Sequence, residues 1–273
     1  MSFTLEIKDG IAHLVLNRPD AFNSMTREFW RDLPATVRDI DGGAKARVIV
    51  ISSTGKHFSA GMDLSVFAEF GGDGAPDRTV LRRTIATLQD SFNAIAGARL
   101  PVLAAIQGGC IGGAVDLIAS CDCRYATADA YFVIQEINLA MLADCGTFPR
   151  LTHLMPEGMV RELAFTGRRL TAERALALGL VNDVLPDPVA LLAHVMAVAR
   201  DIAAKSSRAV AGTKRLLTYG RDHGDTETLA QAAAWQAAML DPAEVMEAMA
   251  ARAEKRAAKF ADLAPLGKPA PKS

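Results

Sequence analysis

The first residues alternate. Positions 3–8 place an apolar side chain at every second residue, the period of a strand with one buried face. Asp9-Gly10 then forms a hairpin signal, and residues 11–16 read as the return strand. Asn17-Arg18-Pro19-Asp20 breaks that strand, and a helical period takes over across 26–40. Residues 47–52, centred on Val48, Ile49, Val50 and Ile51, form a buried-strand run. A helix is predicted over 78–96, a strand over 101–106, and one strand or a pair over 124–134. The glycine-rich stretch 71–77 is expected to be mobile.

After Phe148 the character changes. Apart from turns near Gly167, Gly179 and Pro186, the remainder reads as helix rich in Ala and Leu. The last helix is expected over 242–260, with Val245, Met246 and Met249 as its apolar stripe. Lys268-Pro269-Ala270-Pro271 is expected to be disordered. Interleaved strands and helices followed by a helical tail predict an α/β or α+β body with a C-terminal helical part. The expected division is a core over 1–200, a helical region over 201–262 and a disordered tail over 263–273.

Length and composition narrow the function. A chain of 273 residues, 50% of them apolar, suits one large domain or one domain with an appendage. A net charge of -1 gives no basis for binding nucleic acid or an anionic membrane. No run of 18 apolar residues suggests a membrane span. The four cysteines read as free thiols of a reducing compartment. The first ten residues match neither a secretory signal nor a transit peptide, and the chain does not end in Ser-Lys-Leu, so a cytoplasmic location is expected.

Candidate chemistry concentrates between Gly108 and Gly146. Gly108-Gly109-Cys110-Ile111-Gly112-Gly113 packs four glycines into six residues and leads into an apolar helix start. Glycine lets backbone approach a ligand closely, and a helix start leaves N–H groups free for developing negative charge. Three acids follow in apolar surroundings: Asp116, Glu136 and Asp144. Together these features suit proton transfer beside a polarised carbonyl. Each acid also has an ordinary reading: a helix-dipole charge for Asp116, a solvated strand end for Glu136, an N-cap for Asp144. Ala60-Gly61-Met62, after the buried strand, sits where ligand loops lie, with Asp63 as an alternative helix cap. Lys255 and Arg256 read as a solvated face or a phosphate contact. Cys121 and Cys123 fall short of a zinc set, and the five histidines have no metal spacing, so no metal is expected.

At these residues the sequence resembles the crotonase, or enoyl-CoA hydratase/isomerase, superfamily. His57-Phe58-Ser59-Ala60-Gly61-Met62-Asp63-Leu64 looks like its first oxyanion loop, and residues 106–117 like its second. Phe165-Thr166-Gly167 and Gly179-Leu180-Val181 also match. The resemblance implies a crotonase-like spiral of ββα turns with a C-terminal helical trimerisation region, hence a homotrimer or homohexamer. It implies an acyl-CoA thioester substrate, with coenzyme A as part of the substrate and no cofactor. The oxyanion donors would be the N–H groups of Met62 and Gly113. Ala60, Gly61, Met62, Asp63, Leu64 and Gly113 would bind substrate, Ala60 touching the adenine. Hydratases of the family carry two glutamates, whereas residues 112–151 here resemble the dienoyl-CoA isomerases, with Asp116, Glu136 and Asp144 at that branch's acid positions. Isomerisation of a 3,5-dienoyl-CoA to its 2,4 isomer is therefore expected. The alternative is hydration of a 2-enoyl-CoA by Asp116 and Glu136.

Overall fold

The computed structural model describes residues 2–67 and 77–267. Strand β1 (Phe3–Lys8) pairs antiparallel with β2 (Ile11–Leu16), and Gly10 makes the turn at φ +75°. The sheet then continues in parallel through β3 (Val48–Ser53), β4 (Val102–Ile106), β6 (Cys123–Thr127) and β9 (Asp183–Leu185). Its order is β1-β2-β3-β4-β6-β9. A second sheet holds β5 (Gly109–Ile111), β7 (Tyr131–Val133) and β8 (Leu170–Thr171). Successive turns place β4 in the large sheet and β5 in the small one, then β6 in the large and β7 in the small. This is the spiral expected from the resemblance.

Helices fill the returns: α1 (Arg27–Gly42), α2 (Leu64–Phe67), α3 (Arg78–Gly97), α4 (Gly113–Ala119), α5 (Thr147–Leu151), α6 (Glu157–Thr166) and α7 (Ala172–Leu178). The helical part contains α8 (Pro188–Ala203), α9 (Ser207–Gly220), α10 (Asp225–Met239) and α11 (Pro242–Ala253). Their starts have local causes. Thr26 accepts the Phe29 N–H ahead of α1, and Asp187 accepts the Ala190 N–H ahead of α8, where Pro188 takes the position that needs no donor. Among the described residues no helix is long and apolar enough to cross a membrane.

The unbroken apolar run of β3 follows from its position. Ile49 and Ile51 point into the main core with Phe29, Leu33 and Phe92, while Val48 and Val50 meet Leu191, Val195 and Ala199 of α8 in a second core. A strand covered on both faces has no solvent side to mark with polar residues.

The structure departs from the sequence pattern in three places. After Phe148 it adds β8 and β9, of two and three residues, which are too short to show a period and exist because β7 and β6 offer them edges. The last helix ends at Ala253 rather than near 260, where Lys255 turns left-handed at φ +52° and the Arg256 N–H reaches back to the Ala251 carbonyl. Residues 263–266, expected at the head of the tail, are tied to the body. Leu263 packs on the core, Arg99 donates to the Ala264 carbonyl at 3.0 Å, and the Leu266 N–H bonds to the Gly42 carbonyl at 2.8 Å. The expected disorder at Lys268–Pro271 and most of the expected mobile stretch lie outside the described residues.

The helical part is anchored by a nearly buried cation. Lys214 of α9 reaches the Leu100 carbonyl at 2.9 Å and Asp122 Oδ2 at 2.7 Å, and Asp122 also accepts the Val102 N–H where β4 begins. The Lys214 side chain is 9% exposed and that of Asp122 28%. Lys214→Met is expected to lower stability by about 2 kcal/mol, below the usual loss for breaking a fully buried pair because Asp122 keeps some water. A thermal melt reads this as a fall of roughly 4–8 °C. An unchanged melting temperature would show that α9 does not depend on the ion pair.

Candidate active site

Two loops meet backbone to backbone beside the small sheet. The first follows β3, and the second is β5 with its glycines. Ser59 donates its N–H to the Gly109 carbonyl and accepts the Ile111 N–H, so Ser59 extends the small sheet opposite Cys110. Two residues on, Gly61 stands at φ +84°, and a Cβ there would lie 2.5 Å from the Ile111 carbonyl oxygen and 3.1 Å from the Gly113 nitrogen. Neither the conformation nor the space admits another residue. The Gly61 carbonyl is taken by the Met25 N–H, and the Asp63 N–H by the Met25 carbonyl. Between them the Met62 N–H finds no acceptor among the described residues, and neither does the Gly113 N–H, which opens α4 and has no carbonyl before it to bond. Ala60, Met62 and Gly113 all line one cavity of about 370 Å³.

The three acids reach that cavity from three elements. Asp116 lies one turn into α4, is 1% exposed, and accepts the Thr147 hydroxyl at 2.5 Å. Burial raises its pKa to about 7 against the pull of the Thr147 hydrogen bond, and the charge of Glu136 adds to the rise while Arg150 opposes it. Glu136 starts the 3₁₀ turn Glu136–Leu139 just beyond β7, and a Cβ on Gly112 would lie 3.2 Å from its Oε1. Burial pushes the Glu136 carboxyl above its ordinary range, its own backbone N–H opposes this, and the charge of Asp144 adds to the rise. Asp144 lies in the loop before α5. Its carbonyl is held by Gln89 at 2.7 Å, and its Oδ1 faces the Cys145 thiol at 3.5 Å. The N-cap of α5 is Gly146, with no side-chain cap, so Asp144 is not spent as a helix cap. Three acids therefore line one cavity, and two of them, Asp116 and Glu136, are shifted toward their protonated forms, an arrangement chemically able to accept and to donate protons.

Not every residue of the first loop joins this set. Asp63 is turned to Ser24 at 2.6 Å, to Ser65 at 2.7 Å and to Arg18 at 3.2 Å, bonds that hold its carboxyl well below the usual range. It caps α2 through the Ser65 N–H, the helix-cap role weighed above. Leu64 is 80% exposed. Arg256, weighed as a phosphate contact, is paired with Glu247 and Glu254. The pattern also left residues unassigned. Trp30 of α1 and Leu81, Ile85 and Leu88 of α3 contribute apolar lining to the same cavity. The α3 residues recur at helical spacing, a signal for a buried face but not for a substrate wall. Nothing in the local sequence marks Thr147 as the partner of Asp116.

The family model described as enoyl-CoA hydratase/isomerase matches residues 6–263. The mitochondrial Δ(3,5)-Δ(2,4)-dienoyl-CoA isomerase of Homo sapiens is 39% identical over 252 residues, covering 90% of this chain and 77% of its own. The peroxisomal Δ(3,5)-Δ(2,4)-dienoyl-CoA isomerase of Arabidopsis thaliana is 38% identical over 271 residues, covering 95% of this chain and 98% of its own. Among solved structures, an enoyl-CoA hydratase of Mycobacterium smegmatis superposes with a TM-score of 0.85 at 29% identity, over 95% of this chain and 99% of that one.

The raised Asp116 pKa has a stability consequence. The unfolded carboxyl releases its proton near 3.8 and the folded one near 7. Across that window the native state binds the extra proton, so stability falls as pH rises, by on the order of a few kcal/mol once complete. Asn can accept the same Thr147 bond and does not titrate. Asp116→Asn is therefore expected to melt progressively above wild type from about pH 4 to about pH 7, with the gap constant beyond. A gap that does not change with pH would mean that Asp116 ionises as an ordinary carboxyl.

Proposed function

The chain belongs to the enoyl-CoA hydratase/isomerase family, and from that premise we propose that it converts a 3,5-dienoyl-CoA to the 2,4-dienoyl-CoA. The observation that carries the reading is the convergence of Asp116, Glu136 and Asp144 on the cavity that Met62 and Gly113 also line, two residues whose N–H groups have no acceptor among the described residues. The thioester oxygen accepts these two donors. Asp144 takes a proton from C2, and the electrons of that C–H bond move onto the oxygen and along the chain as a dienolate. Charge then resides on the oxygen, C2, C4 and C6. Glu136, held toward its protonated form, gives a proton to C6, and the double bonds settle at C2 and C4. Both donors bond more strongly to the enolate oxygen than to the neutral thioester, so they act on the barrier itself. Asp116, buried, tied to Thr147 and held toward its protonated form, is the third acid of the set and tunes it, while burial and the charge of Asp144 keep Glu136 inclined to its proton. Trp30, Leu81, Ile85 and Leu88 offer the acyl chain an apolar wall. The reaction moves only protons and electron pairs within the substrate and calls for no cofactor. Coenzyme A enters as part of that substrate.

The reading extends to assembly and compartment. Val245, Met246 and Met249 of α11 are 42%, 64% and 63% exposed, an apolar stripe that suits packing between subunits of a homotrimer or homohexamer. All four cysteines are free thiols, which suits the cytoplasm. Light scattering is expected to give three or six times the 29.0 kDa chain mass, and a monomer at micromolar concentration would refute the assembly.

Asp144 decides the reaction type. Asn has nearly the shape of Asp but cannot hold a proton in transit. Asp144→Asn is expected to keep the fold and to slow isomerisation by at least about 10², the range for loss of a general base. The assay follows the absorbance of the 2,4-dienoyl-CoA, with thermal melts as the control. Wild-type turnover in the variant would sink the assignment of Asp144. A wild type that hydrates a 2-enoyl-CoA and ignores the diene would overturn the isomerase reading.

A further inference from the structure

The two oxyanion loops are joined by a short parallel ladder, and that ladder is irregular at one rung. Ser59 and Gly109–Ile111 make the regular bonds: the Ser59 N–H to the Gly109 carbonyl at 3.2 Å, and the Ile111 N–H to the Ser59 carbonyl at 3.1 Å. Continued one step upstream, a parallel ladder would send the Gly109 N–H to the His57 carbonyl. That carbonyl is already occupied by Asn23 Nδ2 at 3.0 Å and by the Ser53 hydroxyl at 3.3 Å. The Gly109 N–H goes instead to His57 Nδ1, at 2.9 Å. A side chain has taken the place of a backbone acceptor.

We propose that His57 is a positioning residue of the oxyanion site, its Nδ1 closing the ladder that holds the Met62 and Gly113 donors at a fixed separation. The inference rests on the isomerase reading of that site. His57 lies five residues before Met62 in one loop, and its partner Gly109 lies four before Gly113 in the other. The loops are close enough here that a Cβ on Gly108 would overlap the Lys56 carbonyl oxygen and lie 2.9 Å from His57 Nδ1. The ring is flanked by Phe22 and Tyr131, at centroid distances of 5.7 and 6.3 Å. To accept the Gly109 N–H the ring must be neutral with its proton on Nε2, because an imidazolium would set one N–H against another. The surroundings favour that state: burial, then Lys56, lower the His57 pKa, and Arg169 adds to them while Asp129 opposes.

Two substitutions separate the acceptor from the bulk of the ring. His57→Asn places Oδ1 where Nδ1 stands and preserves the bond. His57→Phe keeps a flat apolar ring between Phe22 and Tyr131 and leaves the Gly109 N–H without an acceptor. With 3,5-dienoyl-CoA, His57→Phe is expected to lower kcat about tenfold, short of the 10²–10³ for outright loss of a donor. KM is expected to stay within about threefold, since the donors act mainly on the enolate, and His57→Asn is expected to keep kcat within about threefold of wild type. A His57→Phe variant with wild-type kcat overturns the inference, as does a His57→Asn variant that falls as far as His57→Phe. Nitrogen-15 NMR of the wild-type ring gives a readout independent of turnover: a proton on Nε2 upholds the tie and a proton on Nδ1 overturns it. A wild type that leaves the diene untouched would overturn the isomerase reading, and the NMR would still decide the tie.

Discussion

The close approach of Gly61 to the Ile111–Gly113 backbone is the constraint on which the rest of the site depends. Any side chain at Gly61 would strike the Ile111 carbonyl oxygen, and its left-handed φ of +84° suits glycine alone. Because the two backbones touch, Met62 and Gly113 line the same cavity. Neither N–H group has an acceptor among the described residues, and each for a definite reason: Met62 lies between two residues whose bonds go to Met25, and Gly113 begins a helix. Backbone donors held by a ladder need little rearrangement when charge develops, which makes such a site effective on an enolate.

Burial supplies the second half of the chemistry. A carboxyl 1% exposed would be costly as an anion, and Asp116 responds by shifting its pKa to about 7 while retaining the Thr147 hydrogen bond. Glu136 is shifted in the same direction by its own burial. The acids come from α4, from the turn after β7 and from the loop before α5, so each can be held by a different part of the scaffold. Trp30 of α1 and Leu81, Ile85 and Leu88 of α3 add apolar surface to the same cavity, which lowers the local polarity around the acids.

Distant segments hold this scaffold together. Arg47 donates to the Ala203 and Phe260 carbonyls and pairs with Asp262, while Arg99 bonds Asp41 and the Ala264 carbonyl. These bonds fix the end of the described chain to the sheet and to α1. Arg124, 4% exposed, spends its guanidinium on the Leu180, Ile118 and Cys121 carbonyls, satisfying the end of α4 from inside the core. The acid-bearing helix is thus held at both ends, by glycine loops at its start and by a buried cation at its finish.

The sequence by itself determined what depends on neighbours along the chain. The hairpin at Asp9-Gly10, the buried run of β3, the long helices and the glycine loops follow from local period and turn chemistry. The motif-bearing residues Met62, Gly113, Asp116, Glu136 and Asp144 were legible as candidates, the three acids each beside an ordinary alternative reading. Only the tertiary structure set the surroundings of these residues and their neighbours. It spent Asp63 on Ser24, Ser65 and Arg18, left Asp144 uncapped beside the cavity, and paired Thr147 with Asp116 across 31 residues. It also formed β8 and β9 from segments too short to carry a period, and it put His57 in a backbone carbonyl's place. The reason is common to all of these: local propensity is summed over adjacent residues, whereas burial, hydrogen-bond partners and the fit of two backbones are set by residues far apart in sequence.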